Sequence, residues 1–419
     1  MKIIYLHQYF NNDEMVGGTR SFEFAKRLVK KGHEVIIITS SRDLEVNSRI
    51  SIIEGIKVYW LNVKYSNNMN NTRRIISFLE FSIKSLLLII KIKSDIIFAT
   101  STPLTISIPA IIASKLRGIP FVFEVRDIWP LLPIAIGALS NKLTILLAYK
   151  LEKWTYNNSN AIIALSPGIK KEIMKTGYDE NKIAVIPNSC DVYNFQNLNN
   201  TNQNEPKIFK LIEEFKERPL LLYAGTFGLI NECEYAIDLA VELDRLKSKI
   251  IILLIGEGAE YNKLKSMAIE RKVYNNNLFI ERGIAKKYMP KLFSKCKMSM
   301  ILFKDIPEMQ TNSSNKFFDS LAAGKPVIIN FGGWMNDIVL NSKCGLAVWR
   351  IPIEKVAIII DKYINNDKKI EYSSKAALNL ANKYYNRSEL FLKFEELLNC
   401  VAKNKKIDNI NKISLEKYY

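Results

Sequence analysis

Histidine and cysteine are scarce in this chain of 419 residues, which has two of the first and five of the second. Cys190, Cys233, Cys296, Cys344 and Cys400 are odd in number and widely spaced, which excludes both a disulfide framework and a paired-cysteine metal site. A reducing compartment fits this usage. Glycine and proline are also sparse, at 17 and 13, and 24% of residues are charged, so neither a fibrous nor a disordered chain is indicated. No GxGxxG follows a strand pattern, which argues against a dinucleotide-dependent oxidoreductase. The start, Met1-Lys2-Ile3-Ile4-Tyr5-Leu6, enters a strand pattern with no signal-peptide apolar region or cleavage site, so no export is expected. Residues 96–114 are uncharged and long enough to span a bilayer, but Pro103, Pro109 and several hydroxylated residues interrupt them. Strand, turn and helix are expected there.

Acidic residues are outnumbered, 42 against 60 basic, for a net charge of +18. An excess of this size calls for an anionic partner. Zinc-finger spacing, an aromatic RNA-binding signature and a basic recognition helix are all missing, so nucleic acid is not expected. Arg73 and Arg74 open an apolar stretch, 75–92, in which Lys84 and Lys91 recur. It reads either as a core helix with a solvated basic edge or as an amphipathic contact with an anionic membrane. On the second reading Arg73, Arg74 and Lys84 touch the membrane.

With 48% hydrophobic residues, the chain exceeds the size of one core, and two domains are expected. Strand patterns at 3–6, 34–39, 95–99 and 120–124 alternate with helical ones, and a second alternation begins at 220–224 and continues through 250–255, 278–281, 298–303 and 327–330. Alternation of this kind predicts parallel sheets covered on both faces. Residues 194–206 are polar, rich in asparagine and without apolar periodicity, as a linker would be. The expected organisation is therefore a first domain at 1–193, a linker at 194–206, a second domain at 207–375, a closing helix at 376–402 and a basic tail at 403–419. Two such domains present strand carboxyl ends and helix amino ends to a shared cleft, which suits a diphosphate.

Several motifs fall at those edges. Gly17-Gly18-Thr19-Arg20 follows the first strand and opens a helix; paired glycines let backbone N–H groups approach an anion or a sugar, although such a pair also serves plain turns. His33 lies where a helix ends and a strand begins, and reads as structural. Glu124-Val125-Arg126-Asp127-Ile128-Trp129-Pro130 places charges at a strand end. Asp127 there could orient or deprotonate an acceptor hydroxyl, with Arg126 positioning it, or the two could simply satisfy one another. Residues 315–326 read as a short helix delivering side chains to the cleft. Asp319 could accept hydrogen bonds from a ribose diol or be an exposed helix carboxylate, and Lys304 and Lys316 could neutralise a diphosphate.

In order along the chain, Gly17-Gly18-Thr19, Gly32-His33-Glu34-Val35, Arg126-Asp127-Ile128-Trp129-Pro130, Leu165-Ser166-Pro167-Gly168, Ile186-Pro187-Asn188, Tyr223-Ala224-Gly225-Thr226, Ile255-Gly256-Glu257-Gly258 and Leu321-Ala322-Ala323-Gly324-Lys325-Pro326 resemble the family-4 glycosyltransferases. More narrowly the chain resembles the branch of bacterial O-antigen and capsule transferases, including those that move N-acetyl-L-fucosamine. The resemblance implies an α/β GT-B fold of two facing Rossmann-like, doubly wound domains with a central cleft. It also implies metal-independent, configuration-retaining transfer of a sugar, without a cofactor, from a nucleotide diphosphate such as UDP to a lipid-linked glycan at the inner membrane face. Gly17, Gly18, Thr226, Lys304, Lys316 and Asp319 would then serve the donor, and Asp127 with Arg126 the chemistry. The final helix would cross back to the first domain.

The chain departs from the family pattern in three places. Of two glutamates usually eight positions apart, Thr311 and Asp319 stand instead; residues 224–244 contain no arginine or lysine; and the usual first-domain histidine is missing, leaving His7 and His33. Two other readings share the fold: a nucleotide-sugar 2-epimerase, and a non-catalytic partner of another transferase.

Overall fold

The computed structural model of the chain describes residues 1–41, 48–64, 69, 71–197 and 205–403. Its first sheet is made from β1 (Lys2–Leu6), β2 (Glu34–Ser41), β3 (Ser48–Ile53), β4 (Ile56–Asn62), β5 (Ile96–Thr100), β6 (Phe121–Val125), β7 (Ala161–Ala164) and β8 (Ile183–Val185). They lie in the order β3-β4-β2-β1-β5-β6-β7-β8, and β3 alone runs antiparallel to its neighbour. The second sheet contains β9 (Leu220–Ala224), β10 (Ile251–Gly256), β11 (Leu278–Arg282), β12 (Met298–Ile301), β13 (Val327–Ile329) and β14 (Gly345–Ala347). Its order is β11-β10-β9-β12-β13-β14. Strand β1, β5, β6 and β7 side chains are all buried, apart from half-buried Lys2, as expected for parallel strands covered on both faces.

In each sheet the strand order reverses direction once, between β1 and β5 in the first and between β9 and β12 in the second. Connections leaving adjacent strands in opposite directions open a crevice at the strand carboxyl ends, where α/β proteins bind ligands. The two crevices face each other.

The stretch 376–402, expected as one helix, is divided. Helix Asp367–Lys383 ends on the second domain, and helix Arg387–Ala402 packs on the first. Phe394 is fully buried, with its ring centroid 4.8 Å from that of Phe24 and 5.0 Å from that of Phe98. Burying such a side chain contributes about 2 kcal/mol. Residues 194–196, read as the start of a linker, instead complete the helix Val192–Gln196; 198–204 of that linker lie outside the described residues, as do 404–419 of the basic tail and most of the asparagine-rich patches. Among the described residues no helix is long and apolar enough to cross a membrane. Residues 96–114 form β5, a turn and the helix Ser107–Arg117.

Candidate active site

A cleft of about 600 Å³ lies between the two sheets and is walled by loops that follow β1, β6, β9, β10 and β11. On the first-domain side, Gly17 and Gly18 precede the helix Arg20–Lys30, whose amino end therefore faces the cleft. Gly17 has φ of 127°, a conformation that glycine adopts without penalty. A methyl group on Gly18 would come within 2.9 Å of the Asn315 amide nitrogen, so the bare glycine allows the second domain to close at this point. Helix Asn315–Ala322 presents its own amino end from the other side, with Ser313, Ser314 and Asn315 lining the cleft. Two helix amino termini thus converge on one volume, an arrangement suited to phosphate groups.

Lys316 is the most distinctive group of the second wall. Its side chain lies across Gly225, where a β-carbon would meet Cδ at 2.8 Å and Nζ at 3.0 Å. The ammonium rests 4.9 Å from the centroid of Tyr223 and 5.0 Å from that of Phe303. Ring faces favour a cation, while burial pushes the Lys316 pKa down to about 8, with Cys233 and Asp319 opposing. The wall is closed by tightly packed glycine backbone: a β-carbon on Gly256 would sit 1.7 Å from the Gly225 carbonyl oxygen.

Asp319 follows one turn later, is buried at 6% exposure and pairs with Lys286. Lys286 also lines the cleft, and its backbone N–H donates to the Met15 carbonyl at 3.1 Å. That residue thereby joins Asp319 to the first-domain loop. Lys287 repeats the link, donating its N–H to Asp13 at 3.0 Å and its ammonium to Glu14 at 2.5 Å.

The first-domain wall holds Arg126 and Asp127. Arg126 donates from its backbone to Ser101 Oγ, from Nε to Thr100 Oγ1 at 2.8 Å and from Nη2 to Ser21 Oγ at 2.9 Å. Behind it, Glu124 is wholly buried and salt-bridged to Arg20 at 2.9 Å. Burial pushes the Glu124 carboxyl upward, but Arg20 and Arg126 outweigh it and hold the group below the usual range. Arg126 is thus a firmly held cation. Asp127 Oδ1 accepts from Asn312 Nδ2 across the cleft at 3.3 Å, and burial raises its pKa against the opposing charge of Arg126.

Of the residues expected at the site, Gly17, Gly18, Arg126, Asp127, Thr226, Lys316 and Asp319 all line this cleft. Lys304 does not. It is exposed and borders a separate depression of about 200 Å³ with Glu232, Glu234 and Lys263, because the chain turns outward after β12. Thr311 is also directed elsewhere. Its side chain packs within 2.8 Å of the position a β-carbon on Gly168 would take, and its carbonyl accepts from Ser166 at 2.5 Å, so this position joins the domains. Among the proposed membrane contacts, Lys84 is bound to Glu80 and to the Asn62 carbonyl, both at 2.6 Å. Arg73 is exposed and Arg74 half-buried on the same helix. His33 bonds Glu395 at 2.8 Å and does not line the cleft. Lys286, Asn312 and His7 line it without any local signal; Lys286 and Asn312 are recognisable only with the first domain in place, and His7 lies in the first domain beside Arg126. Among the described residues no three His, Cys, Asp or Glu side chains gather as metal ligands would.

Comparisons with known proteins agree with this geometry. Residues 17–193 match the model of Glycosyltransferase Family 4, and 204–380 match that of Glycosyl transferases group 1. An uncharacterized glycosyltransferase of Methanocaldococcus jannaschii, MJ1069, is 22% identical over 247 residues, 59% of this chain and 60% of that protein. The match thus spans about three-fifths of that relative's length. Sucrose-phosphate synthase from Thermosynechococcus elongatus superposes with a TM-score of 0.75 at 13% identity, over 96% of this chain and 99% of that one. HepE of Anabaena, in complex with UDP-glucose, superposes with a TM-score of 0.68 at 15% identity, over 95% and 99%. Two facing parallel-sheet domains, with a family-4 domain followed by a group 1 domain, make this chain a family-4-type glycosyltransferase of GT-B fold.

Proposed function

We propose that the protein transfers a sugar, with retention of configuration and without a metal or other cofactor, from a UDP-linked donor to a lipid-linked glycan in bacterial surface polysaccharide assembly. The sugar would be a hexose or an N-acetylated amino-deoxy hexose. The observation that carries the reading is the pairing of walls: Lys316, Lys286 and Asp319 on one side, Arg126 and Asp127 on the other. The UDP-glucose bound by HepE supports the choice of nucleotide. In this reading Asp319 and Lys286 share the ribose end, and Lys316 with the two helix amino termini neutralises the diphosphate. The bond between the anomeric carbon and the β-phosphate oxygen breaks, and the acceptor oxygen takes its place. The acceptor proton passes to the departing phosphate oxygen. Asp127, with its raised pKa, orients the acceptor hydroxyl, and Arg126 fixes Asp127 by charge.

The acceptor reading draws on an apolar outer face. Ile75, Ile76, Leu79, Ile83 and Leu87 of helix Asn71–Ile89 are exposed, as are Leu143, Leu146 and Leu147 of helix Lys142–Asn157. A face of this kind, in a chain of net charge +18, suits the anionic inner surface of the plasma membrane, where the protein would lie peripherally.

Mass spectrometry of the purified protein with a panel of nucleotide sugars, with and without a lipid-linked acceptor, tests the reading. Expected is one UDP released per glycosylated lipid, only with acceptor, and loss of that product in Asp127→Ala. An isomerised nucleotide sugar formed without acceptor would make the protein a 2-epimerase. Unchanged surface polysaccharide in an Asp127→Ala strain would favour a non-catalytic partner.

A further inference from the structure

Thr311 ends the short helix Pro307–Thr311, and Asn312 and Ser313 lead from it into helix Asn315–Ala322, which carries Lys316 and Asp319. The first domain holds each of the three. Ser166 donates to the Thr311 carbonyl at 2.5 Å, and Asn188 donates from its backbone to Ser313 Oγ at 3.3 Å and from Nδ2 to the Ser313 carbonyl at 2.6 Å. Between them, Asn312 Nδ2 donates to Asp127 Oδ1 at 3.3 Å. Of these bonds, that of Asn312 is the one that ends on an ionisable group. The backbone of Asn312 is already committed, since its N–H donates to the Met309 carbonyl at 3.1 Å and its carbonyl accepts from Trp334 Nε1 at 2.7 Å. Its amide is therefore held in place by fixed groups on every side, as a preorganised site requires.

Arg126 acts on Asp127 by charge, but its Nε, Nη1 and Nη2 are turned to Thr100, His7 and Ser21. A neighbouring charge favours the carboxylate without fixing where its oxygens point. That direction comes from Asn312. With Oδ1 engaged, Oδ2 has no partner among the described residues, and both side chains line the cleft. The bond spans two domains, so any opening of the cleft breaks it. We infer that Asn312 is a positioning residue for the transfer: from the domain that carries Lys316 and Asp319 it holds one oxygen of Asp127 and leaves the other to the acceptor hydroxyl, and it does so only while the domains are closed. The aim of Asp127 is thereby tied to the same helix that would seat the donor.

The inference rests on the proposed role of Asp127, and Asn312→Ala, Asp127→Asn and the double variant separate the two. Each is assayed for UDP release with the nucleotide sugar and lipid-linked acceptor found productive, and for UDP binding by titration calorimetry. Asn312→Ala should lower kcat by about 10–100-fold, the value of one hydrogen bond to a charged group, and leave UDP affinity and donor KM within about twofold. A hydrogen bond to a carboxylate favours its charged form, so its loss should move the acidic limb of the kcat profile up by about one pH unit. The same shift should appear in carboxyl NMR of the UDP complex, where the Asp127 resonance is assigned by its loss in Asp127→Asn. Asn312→Gln, which keeps the amide donor, should recover part of the rate. In the Asp127→Asn background, Asn312→Ala should cost nothing further. Wild-type kcat and pH profile in Asn312→Ala, with Asp127→Asn inactive, would overturn the inference alone. So would additive losses, or a UDP affinity that falls as far as kcat. Full activity in Asp127→Asn would overturn the role of Asp127, and this inference with it.

Discussion

At the scale of single residues, Lys316 decides most. The family's usual cations on the loop after β9 are missing from residues 224–244, and this lysine reaches the same loop from helix Asn315–Ala322 by lying over Gly225. Its pKa, pushed from 10.5 to about 8 by burial, gives the sign of two effects. In the free protein the charged form is disfavoured by roughly 3 kcal/mol relative to an unfolded lysine, at 1.36 kcal/mol per pKa unit. Stability therefore increases as pH rises from about 8 towards 10.5, and Lys316→Met should raise Tm at pH 7. A bound diphosphate favours the ammonium, so donor binding takes up a proton above pH 8 and donor KM increases as pH rises beyond that value. Lys316→Met should raise donor KM by about 10–100-fold, the loss of one charge-assisted hydrogen bond, and abolish the pH slope between 7.5 and 9. A slope that survives the substitution would assign it to another group. More stable and less active together would mark a site that trades stability for function.

Among the elements, helix Asn315–Ala322 was legible because polar, aromatic and small residues alternate with helical spacing just before a strand, and it does deliver Lys316 and Asp319. Strands β1, β2, β5, β6 and β9 to β13 were legible from their continuous apolar runs. Strands β3, β4, β7, β8 and β14 were not read from the sequence, and their pairing comes from neighbours already in the sheet. Lys304 was misplaced because the direction of a chain leaving a strand is set by packing, not by residue type. The apolar run 75–92 carried two readings, and the structure shows a helix with one side in the core and the other exposed. Phe81 and Ile89 are fully buried, while Ile83 is 61% exposed.

Helix Lys142–Asn157 also exposes leucines, and helix Ser107–Arg117 contacts both helices. With Lys84 already held by Glu80, the exposed cations of helix Lys142–Asn157 are Lys142, Lys150 and Lys153. Each such lysine near an anionic leaflet contributes about 1 kcal/mol. Replacing all three with glutamine should lower partition onto phosphatidylglycerol liposomes by roughly 100-fold in flotation, while transfer to a water-soluble acceptor stays unchanged. Flotation equal to wild type would leave the face without a membrane role.

For the whole molecule, the question is what joins two domains that must hold a donor between them. Among the described residues the chain passes from one domain to the other near 190 and near 386, and the two passages are bonded. Cys190 N–H donates to the Tyr385 carbonyl at 3.1 Å, and Arg387 N–H to the Cys190 carbonyl at 2.9 Å. Arg387 adds a charged staple. It is 7% exposed, pairs with Asp191 and donates from Nη2 to the Ser189 carbonyl at 2.8 Å. Asp191 also pairs with Arg27, itself held by Glu23 at 2.6 Å, so both passages are tied to helix Arg20–Lys30. Removing one member of a buried ionic cluster strands the others, at about 3–5 kcal/mol. Asp191→Asn should therefore lower Tm strongly, and calorimetry should resolve two transitions where the wild type gives one, because the coupling between domains is lost before either core. Arg387→Met combined with Asp191→Asn should cost less than the sum of the single changes. Strict additivity, with one transition in every variant, would show that this staple does not couple the domains.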